Sequence, residues 1–140
     1  MKKELLNKMI FTGSRAMGLV KDNNKFSEHP FVIQTADYDF VSGRLAYKKV
    51  REYCQENNIT INESNYYEGF YFTEDDKRYN IFLEKDVYLY SWKLTTEIIK
   101  LLCKYEKIKS LLSEKKTRVK FFEGIRCIIK IIFGEIKEWQ

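Results

Sequence analysis

The hydrophobic pattern of the chain changes rhythm as it runs. "KMIFTG", residues 8 to 13, is a short apolar run closed by glycine, which predicts a buried strand entering a tight turn at Gly13. "SRAMGLV" follows, and Ser14 at its head predicts a first helical turn capped by the serine. Residues 21 to 30, "KDNNKFSEHP", are polar and hold the single proline, so they predict an exposed loop with His29 facing solvent. "FVIQTADYDFVS", 31 to 42, returns to strand chemistry, and its alternation puts Asp37 and Asp39 on the same face.

"GRLAYKKVREYCQENN", 43 to 58, sets Leu45, Ala46, Val50, Tyr53 and Cys54 near one stripe at helical spacing and stops at Asn-Asn, which predicts a helix covering a sheet. From 59 to 86, "ITINES", "YYEGFYFTED" and "RYNIFLEK" are rich in Ile, Tyr and Phe, with "EDDK" at 74 to 77 as the turn of an antiparallel hairpin. Helices follow. "SWKLTTEIIKLLCKYEKIKSLL" sets Trp92, Thr95, Ile99, Leu102 and Cys103 on one side, and "KFFEGIRCIIKIIFGEIKEW" does the same with Phe121, Ile125, Ile128, Ile129, Ile132 and Ile136. The expected architecture is α+β: one domain spanning 1–140, with a small mixed β-sheet and its helices in 1–90 and a helical part in 91–140.

Composition narrows the function classes. A chain of 140 residues fits one domain with a real core and excludes a multidomain enzyme. The longest apolar run, "CIIKIIF", is far shorter than the ~20 residues of a membrane span and is interrupted by Lys130. The N-terminus lacks the long apolar stretch and cleavage site of a signal peptide, so a cytoplasmic protein without membrane attachment is expected. Cys54, Cys103 and Cys127 are far apart and accompanied by a single histidine, which points to buried structural thiols and away from a zinc site or a disulfide. Residues 99–140 hold eleven Lys or Arg against five Glu, so the net charge of +5 is concentrated there, as a solvated helix face or as a surface for a polyanion such as RNA, DNA or a nucleotide's phosphates.

Two carboxylates at i and i+2 of one strand repel each other unless a cation lies between them, and Mg²⁺ binds carboxylate and phosphate oxygens together. Gly13 allows a close backbone approach, and Ser14 adds a hydroxyl and main-chain N–H groups that suit phosphate. A metal pair and a phosphate turn in this order suit phosphoryl or nucleotidyl transfer, where positioning and electrostatics carry most of the barrier reduction.

"GSRAMG" followed by "ADYDFV" resembles the signature of the minimal nucleotidyltransferase superfamily that shares the DNA polymerase β palm, particularly its bacterial and phage-encoded members. The likeness covers about residues 10 to 41, with a weaker echo through "RYNIFLEKDVYLYSWKLTTEI". It implies a nucleotidyltransferase palm, Mg²⁺ or Mn²⁺ held by Asp37 and Asp39, a triphosphate held by Gly13 and Ser14 with Arg15 beside them, and transfer of a nucleoside monophosphate from an NTP to an acceptor such as RNA, a protein or a small molecule. The setting it implies is the cytoplasm of a bacterial cell or of a phage-infected host. Residues 21–34 stand as an insertion relative to compact relatives, and Asn80 stands where active members bring a third catalytic carboxylate. Glu84 lies about 13 Å further along the same strand, and Glu68 lies on the preceding one; both read more simply as ordinary exposed acids. Alternatives are a catalytically impaired palm module that binds nucleotide or nucleic acid, and an interaction protein of a toxin–antitoxin or phage–host pair.

Overall fold

A computed structural model of the chain describes residues 1–19, 37–84 and 89–133. The loop at 21–30 with His29, the insertion at 21–34, the first half of the strand expected over 31–42, and Ile136 lie outside the described residues. The element order is α1 (Lys3–Leu6), β1 (Ile10–Thr12), α2 (Gly13–Ala16), β2 (Tyr38–Ser42), α3 (Arg44–Glu56), β3 (Asn62–Glu63), β4 (Gly69–Glu74), β5 (Lys77–Leu83), α4 (Leu89–Leu102), α5 (Glu106–Ser113) and α6 (Lys115–Phe133).

The strands form one open sheet in the order β1-β2-β5-β4-β3. It is mixed: β2 and β5 run parallel, and the other neighbours are antiparallel. The hairpin between β4 and β5 turns through Asp75 and Asp76 at φ of 52° and 62°, the paired left-handed conformation that matches the twist of a two-residue hairpin and that aspartate tolerates. The parallel pair sets Asp39 opposite Asn80, a register that governs everything at the site.

One sheet face carries Phe40, Phe70, Phe72, Tyr79 and Ile81, all buried. Their rings form a ladder across the strands: Phe40 to Tyr79 at 6.3 Å, Tyr79 to Phe72 at 5.2 Å, and Phe72 to Phe70 at 6.1 Å. α3 closes this face with Ala46, Val50 and Cys54, at the i, i+4, i+8 spacing of one helical stripe. It ends where Asn57 donates to the Tyr53 carbonyl at 2.8 Å and Asn58 turns left-handed at φ 56°. Leu45 is the exception to the expected stripe, being 55% exposed, because it lies a quarter turn away from Ala46.

The opposite face carries Ile10 and Val41, covered by Leu89 and Trp92 of α4, and Ile99 of α4 with Cys103 just after it packs against Leu112 and Phe122 of the C-terminal helices. The helical half therefore packs on the sheet. α6 buries part of its expected stripe: Ile129 is buried and Ile125 packs half-buried against the cluster of Ile99 and Leu112, but Phe122 is buried instead of Phe121, and Phe121, Ile128 and Ile132 are exposed. The other departure is Cys127, which is exposed where a buried thiol was expected; Cys54 and Cys103 are buried. No helix among the described residues is long and apolar enough to cross a membrane.

Phe72 is fully buried in the middle of the ring ladder. Phe72→Ala is expected to lower unfolding stability by about 3–5 kcal/mol in urea titrations. A loss below about 1 kcal/mol would contradict its place at the centre of the core.

Candidate functional site

At the end of β1 the chain reverses at Gly13, whose φ of 81° is left-handed and open to glycine at little cost. A Cβ on Gly13 would collide with the Asp39 carboxylate, because Thr12 pairs with Asp39 across the sheet and the next residue lies directly against that side chain. Only a glycine lets the turn and the carboxylate share this space. The residue flanking α2 is Thr12, with no side-chain cap, and Ser14 lies inside the first turn, so the expected serine cap is replaced by a helix that starts at the glycine itself. The Thr12 hydroxyl is occupied elsewhere: it lies 2.8 Å from that of Thr96, which donates to the Trp92 carbonyl, so Thr12 is the donor in the pair.

Asp37 and Asp39 do face the same way. The Nδ2 group of Asn80 donates to Asp37 Oδ2 at 2.9 Å and to Asp39 Oδ1 at 2.9 Å, a bridge made possible by the parallel register. Arg78, two residues before Asn80 and on the same face, lies 3.7 Å from Asp37 Oδ2. Asp37 Oδ1 is buried and has no hydrogen-bond partner among the described residues.

Burial is the main force on both acids. It raises the Asp37 carboxyl above its ordinary value, against the opposing effects of the Asn80 hydrogen bond, Arg78 and Arg15. It raises Asp39 further, to about 6; the Asn80 hydrogen bond opposes the rise, the Asp37 charge adds to it, and Arg118 and Arg78 oppose it. The pair is thus short of positive charge.

Gly13, Ser14, Asp37, Asp39 and Asn80 line one end of a cavity of about 510 Å³. Phe82 and Trp92 also line it, and α6 adds Lys115, Arg118, Phe122, Glu123 and Arg126. Arg118 is held over the cavity by donating to the Leu112 and Ser113 carbonyls at 2.9 and 3.3 Å. Arg15 is not among the lining residues; its guanidinium lies over the Tyr38 ring at 4.3 Å. Glu84 is removed from the aspartates, accepting from the Trp92 indole at 2.7 Å and lying 3.6 Å from Arg126. Glu68 precedes β4 and is exposed, with its carbonyl accepting from the Leu83 amide at 2.9 Å, near the opposite end of β5 from the aspartates.

Sequence reasoning missed the α6 wall. Lys115, Arg118, Phe122 and Arg126 recur at helical spacing, a signal masked by the stronger run of isoleucines on the other face.

The side chains present suit a divalent cation in one respect and lack a feature in another. Two half-buried carboxylates with raised pKa values and an unpartnered Oδ1 form a site that a cation would relieve of repulsion. Among the described residues, however, no group of three or more His, Cys, Asp or Glu side chains is gathered for a metal. No family model matches the chain, and no match was found among curated proteins or solved structures.

The raised Asp39 value has a consequence for stability. The folded state holds this proton more tightly than the unfolded chain, so the group favours folding when protonated, and that contribution is lost as pH rises from its ordinary value of 3.8 through about 6. In EDTA, Asp39→Asn is expected to be more stable than the parent by about 1–3 kcal/mol near pH 8, with the gap closing towards pH 4 in denaturant titrations. A gap independent of pH would contradict the electrostatic account.

Proposed function

We propose that the chain is a divalent-cation-dependent nucleotidyltransferase-like domain that binds a nucleoside triphosphate in this cavity and transfers its nucleoside monophosphate to an acceptor hydroxyl, with the α–β phosphoanhydride broken and pyrophosphate released. The observation that carries this reading is the convergence of Gly13, Ser14, Asp37 and Asp39 at one end of a single cavity, with Lys115 and Arg118 facing them. The order strand, Gly-Ser turn, then Asp-x-Asp strand paired in parallel with the strand of Asn80 supports a palm-type sheet.

Asp37 and Asp39 are the residues that would hold Mg²⁺ or Mn²⁺, with Asn80 able to offer its amide oxygen once its NH₂ no longer bridges them. The cation, when bound, supplies charge neutralisation at the reacting phosphate and activation of the attacking oxygen. The chain's own part is positioning. Gly13 brings the main chain close to the carboxylates, the Ser14 hydroxyl is available to phosphate oxygens, and Lys115 and Arg118 supply positive charge from across the cavity. Arg15 and Arg78 temper the negative charge of Asp37 from its other side.

One observation favours a second reading, nucleotide binding without turnover. Asn80 stands beside both aspartates, where a third carboxylate would accept the proton of the attacking hydroxyl, and an amide cannot accept it.

Labelled NTP and Mg²⁺ or Mn²⁺ separate the two. Nucleotidyl transfer predicts label on RNA, protein or the chain itself, abolished by Asp37→Asn with Asp39→Asn; retained Mg²⁺-dependent nucleotide binding without label transfer supports the second. Nucleotide binding indifferent to Mg²⁺ and to the double substitution would overturn both. Asn80→Asp adds a carboxylate to the pair and is expected to tighten Mn²⁺ binding by about tenfold or more in calorimetric titration, since ligand charge tunes cation affinity. Unchanged Mn²⁺ affinity would remove Asn80 from the cation site.

A further inference from the structure

The cavity has a direction. α6 rises about 1.5 Å per residue, so Arg118 and Arg126 are about 12 Å apart along its axis. Asn80 and Glu84 are about 13 Å apart along β5. The two elements match end to end: the charge of Arg118 acts on Asp39, beside Asn80, and Arg126 lies 3.6 Å from Glu84. Lys115 lies beyond Arg118, away from Arg126. Phosphate-binding charge thus belongs to one end, and a second, aromatic end lies one nucleoside's length away.

That second end is built around Trp92. Its indole N–H donates to Glu84 at 2.7 Å, which fixes the plane of the ring, and the Phe122 ring lies 5.0 Å from it. The Arg126 guanidinium lies over the Trp92 ring at 4.7 Å. Arg126 Nη1 is buried with no hydrogen-bond partner among the described residues, since Glu84 at 3.6 Å is too far for a good bond. The planar guanidinium of Arg126, paired with Glu84 and with one nitrogen lacking a hydrogen bond among the described residues, lines the cavity beside these rings.

We propose that this end is a nucleobase subsite in which Arg126 selects a base presenting two adjacent acceptors on one edge: guanine through O6 and N7, or cytosine through O2 and N3. Adenine sets a donor beside each acceptor of its N6 edges, and uracil separates its two carbonyls by N3–H, so neither satisfies the fork twice. Trp92 and Phe122 supply apolar and aromatic surface against which the base is buried. The assignment rests on reading the Asp37–Asp39 end as the triphosphate end.

Calorimetric titration of the full chain with tripolyphosphate and with the α,β-methylene analogues of GTP, CTP, ATP and UTP, all with Mg²⁺, tests it. The GTP or CTP analogue, or both, is expected to bind tighter than the ATP and UTP analogues by about 5- to 150-fold, the range of one good bidentate contact. Arg126→Lys keeps the charge but loses the fork, and is expected to bring the four analogues within about twofold of one another while tripolyphosphate affinity stays unchanged. Arg126→Gln serves as a second variant without the charge and has the same expected loss of discrimination. Equal binding of the four analogues, a preference for ATP or UTP, or discrimination that survives both substitutions would overturn the subsite while leaving the triphosphate end standing. If neither tripolyphosphate nor any analogue binds, the triphosphate reading fails and the subsite with it.

Discussion

One side-chain amide holds the site together. Asp37 and Asp39 project from the same face of β2 into a largely buried space, and their mutual repulsion is relieved by the NH₂ of Asn80, which bonds both. That bridge exists because β2 and β5 run parallel in a register that sets Asp39 against Asn80. The rest of the sheet serves this alignment: the aromatic ladder on the opposite face ties β2, β5 and β4 together, and α3 seals it. Gly13 completes the arrangement, since any larger residue would displace the Asp39 carboxylate.

The bridge also defines what the site lacks. An amide supplies two donors to two carboxylates without supplying charge, so both acids remain harder to ionise than ordinary aspartates. Arg78 and Arg118 reduce the deficit from two directions but do not remove it. Arg118 and Arg126 lie towards Asp39 and Glu84, and Ile128, Ile131 and Ile132 are exposed.

Local rules made much of this legible in the sequence. Gly13 closing an apolar strand, Asp37 and Asp39 two residues apart, the Asp75–Asp76 turn and the Asn57–Asn58 helix stop each depend on one or two residues and their backbone preferences. What was not legible depends on partners distant in sequence. The apolar stripe of α6 reads as one buried face, and Ile129 of that stripe is buried, but Phe122 takes the place of Phe121, and Ile128 and Ile132 are exposed, because the face that is covered is set by Ile99, Cys103 and Leu112, which come from elsewhere in the chain. Glu84 reads as an ordinary exposed acid, and only the approach of α4 and α6 gives it the Trp92 indole and Arg126 as neighbours. Ser14 reads as a cap by residue type, but the helix starts two residues earlier, at the left-handed Gly13, with Thr12 as its flanking residue.

The central claim is that the aspartate pair exchanges the Asn80 amide for a cation when a triphosphate enters the cavity. Anomalous diffraction from crystals soaked with Mn²⁺ and a non-hydrolysable nucleoside triphosphate tests it most directly. The account predicts an Mn²⁺ peak bound by Asp37 and Asp39, the Asn80 NH₂ no longer bonded to both, and phosphates between Gly13–Ser14 and Arg118. Nucleotide bound away from this cavity, with the amide bridge intact and no Mn²⁺ at either aspartate, would contradict it.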